Sequence, residues 1–170
     1  MTAASGAPEV LHVWGLYLRA SEEAHRRGDR RTGTEHLVLA VLGDPAVEVA
    51  MGVSLGRARE ALQTLDHDVL RALGMASRED APPLPTRAVP TKPTLRAVMT
   101  RDHLRMTPAA KKVLEEAVRP NRRKLQVTAP QVLARILTLR PPDPAAALLE
   151  ALDVDVAGLR GRLDVTAPGG

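Results

Sequence analysis

The chain carries one pattern of apolar residues and helix-start signals twice, and this duplication restricts its fold more than any other feature. In each half, a short apolar run is followed by an Asp-Pro dipeptide and then by another capping signal. The matched segments are residues 36–42 with 131–137, Asp44-Pro45 with Asp143-Pro144, and residues 51–55 with 152–156. A repeated unit buries its apolar faces against its copy. The pattern therefore predicts an all-α, pseudo-twofold bundle of two tandem repeats, each with roughly four to five helices.

The first matched segment predicts a short central helix. Residues 37–42 are all apolar, Thr32 and Glu35 have the T-x-x-E spacing of a capping box, and Gly43 stands where a C-cap is expected. A helix that is apolar all round is buried. Other helix starts are predicted at Pro8-Glu9, Asp44, Ser54, Asp66, Thr107, Thr128, Asp143 and Asp155.

Proline divides the chain into three parts. We assign residues 8–74 to the first repeat, 75–106 to a Pro-rich linker and 107–163 to the second repeat, with the two repeats packing as one domain. Five prolines between residues 82 and 93 exclude a long helix in the linker. The spacing of Leu95, Val98 and Met99 predicts at most one short helix over residues 93–104.

Composition agrees with a helical protein of the reducing cytoplasm. The chain has no Phe, one Trp and one Tyr, so its core consists of Leu, Val, Ala and Met, which favours helices. It has no Cys, which excludes disulfides and thiolate chemistry. The apolar run over residues 10–18 is too short for a membrane span or signal peptide. The net charge is +4, so nucleic acid is a partner to consider.

The motifs of both halves resemble the N-terminal repeat domain of the Clp ATP-dependent unfoldases. The resemblance is carried by Gly28, Gly33-Thr34-Glu35-His36-Leu37 and three further segments, residues 20–24, 52–55 and 106–114. It implies a bundle that receives substrates and adaptor proteins. The chain has no G-x-x-x-x-G-K-[ST] phosphate loop, and we expect no protease nucleophile, cofactor or metal. We therefore expect a free-standing, non-enzymatic, cytoplasmic and monomeric protein that binds peptides, adaptors or small cyclic peptides, with no membrane partner.

The same resemblance nominates Gly33, Thr34, Glu35 and His36 as ligand-binding residues. In some relatives the corresponding Glu helps to hold a phosphorylated arginine. The alternative is that Glu35 only caps the helix. The second repeat has Gln131 and no acid at this place, so at most one such site is expected. We interpret His36 as a helix-packing histidine. Consecutive positions exclude a shared metal for Asp66-His67-Asp68.

One Arg-rich cluster follows the first helix of each repeat. The two clusters suggest either solvated turns or a paired basic surface for an acidic partner or nucleic acid. The alternative function is accordingly an Arg-rich helical DNA-binding regulator, although few aromatic residues are available to stack on bases, so nucleic acid is the less favoured partner. The clusters are Arg26, Arg27, Arg30 and Arg31, and Arg119, Arg122, Arg123 and Lys124.

Overall fold

The two halves of the chain contribute four α-helices each to the parts that the computed structural model describes, residues 10–75 and 106–166. The first half contains β1 (Val10–His12), α1 (Val13–Arg27), α2 (Thr34–Val41), α3 (Pro45–Met51) and α4 (Leu55–Ala72). The second contains α5 (Pro108–Val118), a 3₁₀ turn (Arg119–Asn121), β2 (Gln126–Thr128), α6 (Ala129–Ile136), α7 (Pro144–Ala151) and α8 (Val156–Thr166). The prediction of a mainly helical fold is confirmed. Nearly all of the proposed linker and the short helix expected over 93–104 lie outside the described residues.

Most helices begin where the sequence predicts. At six helix starts in the described parts of the chain, the side-chain oxygen of the N-cap residue accepts a hydrogen bond from a backbone N–H of the first turn, which stabilises each helix by about 1 kcal/mol. In α6 the Gln131 side chain also accepts from the backbone N–H of Thr128, which completes the predicted capping box. The six N-cap residues are Asp44, Ser54, Thr107, Thr128, Asp143 and Asp155.

Helix α2 is the centre of the bundle. It packs against α1 and α4 of its own half and against α5, α6 and α7 of the other. All of its residues except Glu35 are buried. The prediction of a central apolar helix is confirmed, and both halves share one continuous core.

The start of the first helix is not where the sequence predicts. Residues Val10–His12 form a strand that pairs antiparallel with Gln126–Thr128, and α1 begins only at Val13. His12 is the N-cap, with Nδ1 accepting from the backbone N–H of Trp14 at 3.2 Å. A partner more than a hundred residues away along the sequence thus overrides the local helix signal at Pro8-Glu9.

Helix α4 is continuous through Asp66, where the sequence predicts a new helix start. The Asp66 carboxylate accepts a hydrogen bond from Arg27 at the end of α1, so it serves a tertiary contact instead of a cap. A second contact between the same helices is the bidentate pair of Glu23 with Arg59, at 2.6 and 3.0 Å. Within the described parts of the chain, no helix is long and apolar enough to cross a membrane.

Candidate functional site

The segment Gly33-Thr34-Glu35-His36 forms the start of α2, and most of it lies inside the protein. Gly33 is the N-cap residue, so the predicted capping box of Thr32 with Glu35 is wrong. The Thr32 carbonyl instead accepts a hydrogen bond from the backbone N–H of Thr107 at 2.9 Å. Only Glu35 reaches the surface, where 17% of its side chain is exposed. An external ligand would therefore meet this segment through Glu35.

His36 lies between two carboxylates. Its Nε2 is 2.9 Å from Oδ2 of Asp29, and its Nδ1 is 3.1 Å from Oε1 of Glu35. Burial alone would lower the pKa of His36, but the two carboxylates favour the charged ring and raise this pKa to about 9. The sequence interpretation of His36 as a packing residue misses this charge, because Asp29 comes close only through the turn after α1.

His36 in turn lowers the pKa of each of the two carboxylates. The hydrogen bond from His36 lowers the pKa of Asp29, and partial burial opposes this effect only in part. Burial raises the pKa of Glu35, but its hydrogen bonds with His36 and with its own backbone N–H outweigh burial, so the pKa lies below its usual value. At neutral pH the site therefore holds one imidazolium and two carboxylates.

The Nδ1 atom of His36 has a second neighbour. The backbone N–H of Gly33 points at it from 3.0 Å. A protonated Nδ1 donates to Glu35, whereas an unprotonated Nδ1 accepts from Gly33, and one atom cannot do both at once. In its neutral form, His36 accepts a hydrogen bond from the backbone N–H of the N-cap residue Gly33. The Gln131 side chain accepts the same bond from Thr128 at the start of α6. Protonation of His36 thus exchanges a helix cap for an ion pair.

The Glu35 carboxylate folds back over Gly33. It occupies the space that a Cβ atom at position 33 would need, so glycine lets the carboxylate lie against the backbone there. The Oε2 atom of Glu35 is buried and has no hydrogen-bond partner among the described residues. Thr34, beside it, donates a hydrogen bond to Oδ1 of Asp143 at 2.7 Å and joins α2 to α7. Of the four nominated residues, only Glu35 has a buried side-chain oxygen without a hydrogen-bond partner among the described residues.

The first basic cluster is partly used within the protein. Arg27 donates to Oδ2 of Asp29 at 2.9 Å and to Oδ2 of Asp66 at 2.5 Å, and so extends the charge network of His36 to α4. Arg26 lies 3.8 Å from the Glu23 carboxylate. Arg30 and Arg31 are exposed in the turn after α1. This end of α1 is therefore a mixed surface of both charges.

The second basic cluster lies at the opposite end of α1. The carbonyl of Leu125, the residue after Lys124, accepts a hydrogen bond from the backbone N–H of Val13 at 2.8 Å. Helix α1 has 15 residues, and at about 1.5 Å per residue it separates the two clusters by roughly 22 Å. The structure does not bring them together into one continuous patch.

The aspartates of Asp66-His67-Asp68 each face an arginine. Asp66 pairs with Arg27, and Asp68 pairs with Arg71 at 3.1 Å. Across residues 10–75 and 106–166, no group of three or more histidines and carboxylates is arranged to hold a metal ion.

The pentapeptide Gly52-Val53-Ser54-Leu55-Gly56 has the form G-x-S-x-G of a hydrolase nucleophile. The expectation that the chain has no protease nucleophile overlooked this match. In α/β-hydrolases this motif joins a strand to a helix and raises the serine above a sheet. Here it joins α3 to α4, and Ser54 Oγ accepts from the backbone N–H of Arg57 at 3.2 Å as a helix cap. Ser54 also borders an open cavity of about 560 Å³ between α3 and α4, which contains none of the nominated residues.

No protein-family model matches this chain, and no curated protein matches it. What the site can do therefore follows from its own chemistry. It offers a largely buried carboxylate that stays ionised, whose buried Oε2 atom has no donor among the described residues and which lies at the N-terminus of a helix. Such an arrangement suits a cationic group combined with an anionic one.

Proposed function

We propose that this chain is a non-enzymatic binding domain of the Clp-N type, which receives peptides, substrates or adaptor proteins and acts as an adaptor or decoy in Clp-dependent proteolysis. The proposal includes a finer description of the fold, in which α1 to α4 and α5 to α8 are tandem repeats related by a pseudo-twofold axis. Such an axis would exchange α2 with α6 and α3 with α7. The packing of α2 on α7 would then have an equivalent in the packing of α6 on α3, and both contacts occur.

Two backbone hydrogen bonds support the same relation. The N–H of Val13, at the start of α1, donates to Leu125, which precedes β2 and α6. The N–H of Thr107, at the start of α5, donates to Thr32, which precedes α2. The first helix of each half is thus fastened to the segment that leads into the second helix of the other half. A twofold relation predicts this reciprocity, whereas an unrelated pair of helical bundles does not.

The two halves differ at one pair of equivalent contacts. Thr34 in α2 donates to Asp143, the N-cap of α7. The equivalent pair is Ala129 in α6 with Asp44, the N-cap of α3, and Ala129 has no hydroxyl to donate. Oδ2 of Asp44 is buried and lacks a hydrogen-bond partner among the described residues. We infer that the repeats have diverged at this contact.

The observation that carries the binding role is the unused oxygen of Glu35. Rotation of this side chain away from Gly33 exposes an ionised carboxylate that can accept both N–H groups of a guanidinium. The same movement breaks the hydrogen bond that the carboxylate now accepts from the backbone N–H of Glu35. An anion can then accept from this N–H at the helix start in place of the carboxylate. Phosphoarginine carries both groups on one side chain. We therefore propose Glu35 and the start of α2 as its binding site.

The experiment is a fluorescence anisotropy titration of the chain with a labelled peptide that contains one phosphoarginine. We expect saturable binding that Glu35→Gln weakens by about tenfold or more, because a charge-assisted pair with the guanidinium is lost. Glu48→Gln, the same change at an exposed residue of α3, is the matched control and should bind like the wild type. Absence of binding, or equal affinity of the two variants, would refute this site.

A further inference from the structure

Among the described residues, unpaired charge is concentrated in the basic loop, residues 119–125, between α5 and β2. Arg119, Arg122, Arg123 and Lys124 are all exposed. Within the described residues, none of them forms an ion pair with a carboxylate. The sequence contains no Asp or Glu between Glu116 and Asp143, so the charge is not balanced by neighbours along the chain.

The loop is held in a defined conformation. The backbone N–H groups of Lys124 and Leu125 both donate to the Asn121 carbonyl, each at 3.0 Å. Leu125 has a φ of 51°, and its carbonyl accepts from Val13. Four cations on an anchored loop lose less conformational freedom on binding than the same charges on a loose chain.

Exposed aliphatic groups adjoin these cations. Leu125 is 43% exposed although its backbone is fixed, and Val10 in β1 is 58% exposed. The register pairs Val10 with Thr128 and His12 with Gln126, which places these four residues on the outward face of the ribbon, while Val127 is buried on the other face. Leu125 thus adjoins the cations in the chain at the N-terminal end of α1, whereas Val10 pairs with Thr128, three residues farther along.

We propose that the basic loop, including Leu125, docks an acidic segment of a partner protein that also carries aliphatic side chains. Carboxylates would pair with the four cations, and the aliphatic groups would cover Leu125. Nucleic acid fits this surface less well, because the other Arg cluster lies roughly 22 Å away at the far end of α1. In addition, the buried Tyr17 packs against Trp14 at 5.1 Å between ring centroids, so this aromatic pair is committed to the bundle. The proposal does not involve Glu35.

The test is an anisotropy titration of the full chain with a fluorescein-labelled peptide of repeating Glu-Leu-Asp. The key variant is Arg122→Glu/Arg123→Glu. Its matched control is Arg30→Glu/Arg31→Glu, which changes the net charge equally at the opposite end of α1. We expect the first variant to weaken binding by about tenfold, because each reversal removes an attraction and adds a repulsion, and the control to change it by less than about twofold.

A second variant separates the aliphatic contact from charge. Leu125→Asn removes the apolar side chain but suits a positive φ, so the loop keeps its shape. It should weaken binding of the Glu-Leu-Asp peptide several-fold and leave binding of a repeating Glu-Gln-Asp peptide unchanged. Far-ultraviolet circular dichroism of each variant confirms that it is folded.

Three results would overturn the proposal. The first is the absence of saturable binding by the wild type. The second is equal weakening by both double charge reversals, which indicates attraction to net charge alone. The third is tighter, Arg122-dependent binding of oligothymidylate than of the acidic peptide, which assigns the surface to nucleic acid. None of these results depends on phosphoarginine binding, so the two proposals fail separately.

Discussion

The buried imidazole of His36 links the stability of the fold to pH. Its pKa rises from an ordinary value of 6.5 to about 9 in the folded protein. A raised folded-state pKa stabilises the protein fully below about pH 6.5, and that stabilisation is lost as the pH rises through about 9. At about 1.4 kcal/mol per pKa unit, the total loss is about 3 kcal/mol. This value is an upper limit, because the Gly33 N–H favours the neutral ring.

Urea unfolding between about pH 6 and 9.5 measures this loss as a fall in the free energy of unfolding. Asp29→Asn should make the fall shallower, because Asp29 provides the largest single contribution that raises the pKa of His36. Asp66→Asn is the matched control, since both carboxylates bind Arg27 but only Asp29 contacts His36. The control should keep the wild-type slope although it lowers overall stability.

Equal slopes for Asp29→Asn and the wild type would refute the assignment of the pH dependence to His36. Titration of the ring nitrogens of His36 by NMR gives a direct check. A midpoint at or below 6.5 would contradict the reasoning, because it would mean that burial outweighs the two carboxylates.

Two further comparisons use stability alone. Ala129→Ser should raise the free energy of unfolding by about 1 kcal/mol by giving Asp44 a second donor beside the Ala46 N–H, whereas Ala117→Ser, at another buried alanine, should lower it. A variant at 129 no more stable than the control would contradict the twofold relation. Gly56→Ala should stabilise α4 by about 1 kcal/mol, because its Cβ meets no neighbour closer than 3.9 Å. Gly52→Ala should cost a similar amount at a φ of 66°, and thermal unfolding in the opposite order would refute this account.

The sequence predicts the local features of this fold well. The N-caps at Asp44, Ser54, Thr107 and Asp143 are all confirmed, because a capping side chain bonds to N–H groups within three residues of it. The central position of α2 is likewise confirmed, since an unbroken apolar run can be satisfied only by burial.

The features that the sequence does not predict depend on distant partners. The helix signal at Pro8-Glu9 gives way to a strand because Gln126–Thr128 lies alongside. Asp66 resembles a helix cap until Arg27 is brought to it by the packing of α1. The charged state of His36 depends on Asp29, seven residues earlier, and no local spacing rule connects the two. Side-chain chemistry at the candidate site is therefore a property of the assembled bundle.

The position of α2 has a consequence for how the protein opens. Five helices from both halves surround it, so the amides beyond its first turn cannot reach solvent while either half stays folded. Native-state hydrogen exchange should accordingly be slowest in residues 38–41, at the rate set by complete unfolding. The two halves should also unfold together in one cooperative transition, because unfolding of either half exposes the apolar surface of α2, against which both halves pack.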